Sequence, residues 1–195
     1  MKNLRPLFLL AAVLLASCSQ KSEMDRFIDN LMNRMTIEQK IGQLNLHSAG
    51  GFISAEKVME DDQNVKLLRA GQLGGLYGSG NPSLLRHYQE IAIESGAGIP
   101  LIFGLDVIHG HETVFPVPLG LSTSWNMDLI EKVARVSARE ATASGVNWVF
   151  SPMVDIARDA RWGRVVEGAG EDPYLGGEIA KAMVYGYQGR DDEFA

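Results

Sequence analysis

Pro100-Leu101-Ile102-Phe103-Gly104-Leu105-Asp106 is an unbroken apolar run that stops on a carboxylate. A strand apolar on both faces belongs in a sheet that is covered on both sides, which is the habit of parallel sheets. Working outward, the same pattern recurs. Upstream, Gly74-Gly75-Leu76-Tyr77-Gly78 reads as a strand, Ser79-Gly80-Asn81-Pro82 as a turn, and residues 83 to about 95 as a helix with Leu84, Leu85, Tyr88, Ile91 and Ala92 inward. Downstream, a long loop runs from Asp106 through His109, His111, Phe115, Pro116 and Pro118 to Trp125. Asn126 then caps a helix whose buried face, Ile130, Val133, Ala134 and residues 136–141, ends at Gly145. A third strand over 146–151 and a helix over about 174–187 complete the series.

Strands alternating with helices place the chain in the α/β class, either as an open doubly wound sheet or as a (β/α)8 barrel. The polar residues decide between them. Ser79 and Asn81, Asp106, and the segment from Asp155 to Asp172 each follow the carboxyl end of a strand, where the loops of a barrel assemble its site. A whole barrel needs about 250 residues and eight strands, and the sequence offers three to four. The expected fold is therefore part of a (β/α)8 TIM-like barrel, truncated before closure after Ala195. No Gly-x-Gly-x-x-Gly links a strand to a helix and no Walker pattern occurs, which removes support for nucleotide cofactors.

Ahead of the barrel strands, residues 22–35 carry Phe27, Ile28, Leu31 and Met35 at helical spacing. Thr36 and Gln39 have capping-box spacing before a second helix with Ile37, Ile41 and Leu44 on one face. Residues 48–62 read as a loop, then a short helix passes through Val65, Leu67 and Leu68, and His47 reads as an ordinary loop or surface histidine.

The first residues are of another kind. Lys2 and Arg5 precede an apolar run from Leu7 to Ala16, too short to span a bilayer, and Leu15-Ala16-Ser17-Cys18 resembles a bacterial lipobox. The expected organisation is a lipoprotein-type signal over 1–17, a short linker over 18–23 after a lipidated Cys18, and the barrel part over 24–195. Such a protein is exported to the periplasm, or anchored in the outer membrane, of a Gram-negative-type bacterium. Cys18 is the only cysteine, so no disulfide forms within the chain. Of the 18 basic residues, Lys2 and Arg5 leave with the signal, so 16 face 24 acidic ones. An acidic chain without a basic patch is a poor partner for nucleic acid or anionic membrane surfaces, which leaves the lipid anchor as the one membrane contact. A neutral ligand fits better. Nothing in the sequence speaks to oligomeric state.

Three constellations carry chemistry. Asp106, followed by His109, Gly110 and Glu112, either accepts hydrogen bonds from ligand hydroxyls or caps a turn. His109-x-His111 raises the alternative of a metal-dependent barrel hydrolase, weakened because His47 and His87 are the only other histidines. The densest is Arg158-Asp-Ala-Arg-Trp-Gly-Arg-Val-Val-Glu-Gly-Ala-Gly-Glu-Asp172, with three arginines, a tryptophan and four carboxylates in fifteen residues. It is either an ion-pair network that shapes a loop or a surface for a polar ligand.

Gly104-Leu105-Asp106-Val107-Ile108-His109-Gly110, then Phe115-Pro116-Val117-Pro118-Leu119-Gly120, then Ser151 to Arg164 with Glu167 and Gly170-Glu171-Asp172, resemble the N-terminal part of glycoside hydrolase family 3. The likeness, strongest to its bacterial periplasmic β-glucosidases, runs from about Met24 to Gly189. It implies retaining hydrolysis of terminal non-reducing β-glucosyl or β-xylosyl residues, with no cofactor and no metal. Asp106 matches the family's aspartate on the sugar hydroxyls and Arg164 its arginine on the same sugar. Arg158, Asp159, Arg161, Trp162 and Glu167 match supporting positions, with Glu167, Glu171 and Asp172 expected to orient the arginines. Ala160 stands where many relatives have proline. The family's aspartate nucleophile and glutamate acid/base fall beyond Ala195, so the resemblance assigns no catalytic residue within the chain and implies that it is inactive alone. The alternative from another class is a non-catalytic carbohydrate-binding lipoprotein. In a lipidation-competent host, the intact mass of the mature protein is expected to show acyl groups on Cys18; a mass without them removes the anchor.

Overall fold

The computed structural model describes residues 21–50, 62–96 and 98–190. The signal expected over 1–17, Cys18 with the start of its linker, and most of the loop expected over 48–62 lie outside the described residues. Residues up to Thr36 and residues from Ile37 onward are separate units. In the first, α1 (Glu23–Arg34) is opened by a capping box: Ser22 Oγ accepts the Asp25 N–H at 3.0 Å, and the Asp25 carboxylate accepts the Ser22 N–H at 3.2 Å. Its apolar residues Met24, Phe27, Ile28 and Met32 are exposed.

The second unit runs α2 (Ile37–Gly42), β1 (Leu46–Ser48), α3 (Gln63–Arg69), β2 (Gly75–Tyr77), α4 (Pro82–Glu94), β3 (Ile102–Leu105), α5 (Pro118–Ser122), α6 (Met127–Ala143), β4 (Trp148–Val149), a 3-10 turn (Val165–Glu167) and α7 (Pro173–Gln188). The four strands pair in parallel in the order β1-β2-β3-β4. Leu46 lies opposite Gly75, Gly75 opposite Ile102, and Gly104 opposite Trp148. A doubly wound sheet reverses its strand order at a switch point. This one does not, and it winds in one direction as a barrel does, with β1 and β4 as its edges among the described residues.

Several sequence expectations need correction. β1 was not expected, because Leu46-His47-Ser48 holds a single apolar residue; pairing with β2 makes it a strand, and the ladder continues past it as the Ala49 N–H donates to Tyr77 O at 2.8 Å. His47 accordingly lies on a strand, with Nδ1 3.3 Å from Asn64 Oδ1. The preceding helix stops at Gly42, whose missing Cβ would fall 2.4 Å from Gln72 Cα, so Leu44 leaves the helical face and is 87% exposed. The loop after Asp106 contains α5, opened by Pro118 in its first turn, where a missing N–H costs nothing. The third expected strand contracts to Trp148–Val149.

Side chains cap four of these helices as their sequences require: Asp62 on α3, Asn81 on α4, Asn126 on α6 and Asp172 on α7. Two apolar clusters hold the layers together. Leu68, Leu76, Leu84, Tyr88, Phe103 and Val146 bind α3 and α4 to the sheet, each fully buried aliphatic contributing about 1.5–3 kcal/mol. Leu121, Ile130, Ala134, Ile179, Ala182 and Met183 join α5, α6 and α7. Tyr187 packs against both. The α6–α7 contact is close because Gly186 lacks a side chain: a Cβ there would meet Ala134 Cβ at 2.4 Å and Glu131 O at 2.5 Å. Gly186→Ala is therefore expected to destabilise the chain by about 1–3 kcal/mol through overpacking, read as a lowered denaturation midpoint; an unchanged midpoint would show that the two helices are not pressed together here.

Candidate functional site at the carboxyl end of the sheet

Parallel pairing brings the residues after every strand to one end. Asp106 follows β3 directly and is exposed there. Its backbone is held on both sides, since the Phe150 N–H donates to Leu105 O at 3.0 Å and Ser151 Oγ donates to Asp106 O at 2.7 Å. The next residue, Val107, has φ +51, a left-handed conformation that costs an L residue about 1–2 kcal/mol. That twist turns the Val107 side chain into the core, where it is 5% exposed, while Asp106 faces outward. Val107 O accepts the Tyr187 hydroxyl at 2.7 Å. Burial raises the Tyr187 pKa, with the Ser151 hydroxyl pulling the other way, so the phenol remains a protonated donor.

The loop beyond Val107 is tied to α6 by one carboxylate. Glu140 accepts the Glu112 N–H at 3.0 Å, the Thr113 N–H at 2.8 Å and the Thr113 hydroxyl at 2.6 Å, and these bonds, the hydroxyl's first, hold its carboxyl below the ordinary range. Gly110, at φ +116, is required at this bend, because a Cβ would lie 1.9 Å from Thr113 O. His111 turns inward, its Nε2 2.8 Å from Ser144 Oγ, and joins the loop to the end of α6. His109 is exposed. The pair therefore does different things, and among the described residues no group of three or more His, Cys, Asp or Glu side chains gathers as a metal cage.

The Arg158–Asp172 stretch is a loop closed at its neck, where the Ala157 N–H donates to Gly170 O at 3.0 Å. Within it, Arg164 precedes the 3-10 turn and Glu167 ends it, and the two form a fork: Arg164 Nε donates to both Glu167 oxygens, at 2.9 and 3.1 Å, and Nη2 to Oε2 at 2.6 Å. Hydrogen bonding to Arg164 lowers the Glu167 pKa, and the same bond raises that of Arg164. Asp155 and Asp106 add smaller Coulombic contributions to the Arg164 charge, so the fold brings both carboxylates into its field. Arg161 pairs with Asp159 through its Nε and Nη2, and Trp162 is half-buried.

The expected division of labour is partly redrawn. Asp106 and Arg164 come to one end of the sheet, and Glu167 does hold Arg164. Asp172 does not orient an arginine: its Oδ1 accepts the Leu175 N–H at 2.7 Å as the cap of α7. Arg158 is exposed and Glu171 makes no ion pair with it or with another arginine among the described residues. Asp159, two residues from Arg161, is the arginine's true partner. Asp155 heads the segment expected at this end of the sheet, whereas Glu140 was not expected here, since nothing near it in the sequence points 27 residues back to Thr113.

A singly wound, open parallel sheet with its polar residues collected at the strands' carboxyl end is part of a (β/α)8 barrel-like fold. Residues 36–192 match the glycosyl hydrolase family 3 N-terminal domain, and the chain belongs to that family. It is 41% identical over 167 residues to the periplasmic β-glucosidase of Salmonella typhimurium, covering 85% of this chain and 21% of that protein. A β-xylosidase of Formosa agariphila is 34% identical, with 88% of this chain and 19% of the relative covered. Among solved structures, a mutant β-glucosidase from Listeria innocua in complex with laminaribiose superposes with a TM-score of 0.75 at 41% identity, over 87% of this chain and 24% of that one. The chain thus spans about a fifth of the length of the curated relatives it matches.

The fork between Arg164 and Glu167 has a defined pH dependence. Because the folded Glu167 carboxyl titrates below the unfolded one, the pair is complete at neutral pH and is lost only as pH falls below the ordinary carboxylate range. Carboxyl carbon resonances of Glu167 are expected to titrate with a midpoint lower than in an unfolded peptide; an ordinary or raised midpoint would dissolve the fork.

Proposed function

We propose that this chain supplies part of the sugar subsite of a retaining β-glucosidase or β-xylosidase that releases terminal non-reducing residues from oligosaccharides and glycosides. Asp106 accepts hydrogen bonds from hydroxyls of the cleaved sugar, and Arg164 donates to it from a guanidinium already fixed by Glu167. The observation that carries this reading is that Asp106, directly after β3, and the Arg164–Glu167 fork, in the segment after β4, both follow the carboxyl ends of adjacent parallel strands. A neutralised fork suits a neutral ligand, since it offers directed donors without a net charge. Arg158, Arg161 and Trp162 support the loop around it.

The nucleophile and acid/base belong, on this reading, to residues outside 1–195. Retention needs two carboxyl groups about 5–5.5 Å apart, one of them a carboxylic acid with a raised pKa. The carboxylates of this rim whose acidity is shifted, Glu140, Asp159 and Glu167, are all shifted down by their hydrogen-bond donors. They are built to stay ionised. Export and lipid attachment through Cys18 belong to the same proposal, supported by the signal-like leader and by the periplasmic name of the Salmonella relative.

The 195-residue chain alone is expected to release no nitrophenol from aryl β-glucosides or β-xylosides, and measurable turnover would place the catalytic pair within it. In the enzyme expressed from its complete reading frame, Asp106→Ala is expected to lower kcat/KM about 100-fold, roughly the several kcal/mol that hydroxyl contacts contribute in the transition state. A near-normal kcat/KM would take Asp106 out of the subsite.

A further inference from the structure

Three consecutive carbonyls at the end of β3 each accept one hydrogen bond from a distant part of the chain. Leu105 O takes the Phe150 N–H, Asp106 O takes Ser151 Oγ, and Val107 O takes the Tyr187 hydroxyl. A residue's φ and ψ are the angles between its two flanking peptide planes, so fixing both planes fixes the residue. The planes around Asp106 are fixed by Phe150 and Ser151, and those around Val107 by Ser151 and Tyr187.

Val107 is where this matters. It is a β-branched residue in the left-handed region, one of two non-glycine residues with positive φ among those described. Such a conformation persists only where its surroundings over-determine it, and it is commonest where a site needs a defined geometry. A left-handed residue immediately after Asp106 reverses the chain direction, leaving the carboxylate at the rim and the valine in the core. Released from Ser151 and Tyr187, Val107 would relax toward ordinary backbone angles, carrying the Asp106 carboxylate with it.

We infer that Ser151 and Tyr187 are positioning residues for Asp106: through Asp106 O and Val107 O they hold the strained turn that aims its carboxylate at the sugar. The inference rests on the reading of Asp106 as a sugar ligand. Phe150 contributes only its backbone, so Ser151 and Tyr187 are the two positions where side-chain chemistry sets the aim. Tyr187 suits the role because its ring is anchored in both apolar clusters, which holds its hydroxyl at Val107 O and beside the Ser151 hydroxyl. Ser151 suits it because it lies two residues past β4, after a Phe150 N–H that continues the pairing to Leu105 O, and that register against β3 sets how far its Oγ reaches.

A double-mutant cycle in the enzyme expressed from its complete reading frame, assayed with an aryl β-glucoside, tests this. Tyr187→Phe and Ser151→Ala each keep the shape of the side chain and remove one donor. Each is expected to lower kcat/KM about 10-fold, mostly in kcat. Introduced into Asp106→Asn, each is expected to lower it by less than about 2-fold further, because the aim of a carboxylate that is already gone no longer matters. Equal losses in both backgrounds, or no loss in the wild-type background, would overturn the positioning role and leave the tethers as packing alone. Near-normal turnover by Asp106→Asn would instead overturn the ligand reading itself, whatever the tethers do. Should Tyr187→Phe lower the thermal midpoint below the assay temperature, Ser151→Ala decides the question, since Ser151 belongs to neither apolar cluster.

Discussion

The hydroxyl of Tyr187 on the carbonyl of Val107 joins the last helix to the middle of the sheet across 80 residues of sequence. Its ring touches the cluster that binds α3 and α4 to the strands and the cluster that binds α5, α6 and α7 to one another. α6 also spans the two clusters, with Ala141 in the first and Ile130 and Ala134 in the second, so the layers are registered together by a helix and a phenol. Gly186, the residue before it, lets α7 approach α6 closely enough for the phenol to reach.

Charge at the rim is arranged on the opposite principle. Where the core is tied by long-range contacts, the arginines are tied by short ones: Arg164 to Glu167 three residues on, Arg161 to Asp159 two residues back. Exposed pairs of this kind contribute little to folding. Their effect is directional, because a guanidinium forked on a carboxylate keeps its remaining N–H groups on fixed bearings. Glu140 does similar work for the backbone, gathering two N–H groups and a hydroxyl of the loop after Asp106 onto one carboxylate.

How much of this the sequence discloses depends on the range of the interaction. Helix faces and caps are local, so α4 was legible from Leu84 and Tyr88 and α6 from Ile130 and its cap Asn126, whereas Asn81 was read as part of a turn and Asp172 as an arginine's partner when each is a cap. Buried strands announce themselves through apolar runs, which made β3 plain and left β1 invisible, since Leu46-His47-Ser48 becomes a strand only by pairing with β2. α5 was hidden among glycine and proline, residues that speak against helix everywhere except at its first turn. At the site, the family likeness singled out Asp106, Arg164 and Glu167, and short spacing made the Arg164–Glu167 pair readable. Glu140 and Tyr187 left no trace and Ser151 was marked only as the first residue of a family-like segment, because each acts on a backbone group 27 to 80 residues away.

The strand order carries a last consequence. Every strand after β1 hydrogen-bonds to the strand before it in sequence among the described residues. As a chain emerges from the ribosome amino end first, each new strand–helix segment therefore meets a finished edge and extends it. Short loop closures of this kind are entropically the least costly, and the edge left exposed at any moment is only two to four residues long. The Tyr187 contact comes after the strand pairing: it reaches back over β4 to the end of β3, so the aim of Asp106 is set after the sheet that bears it.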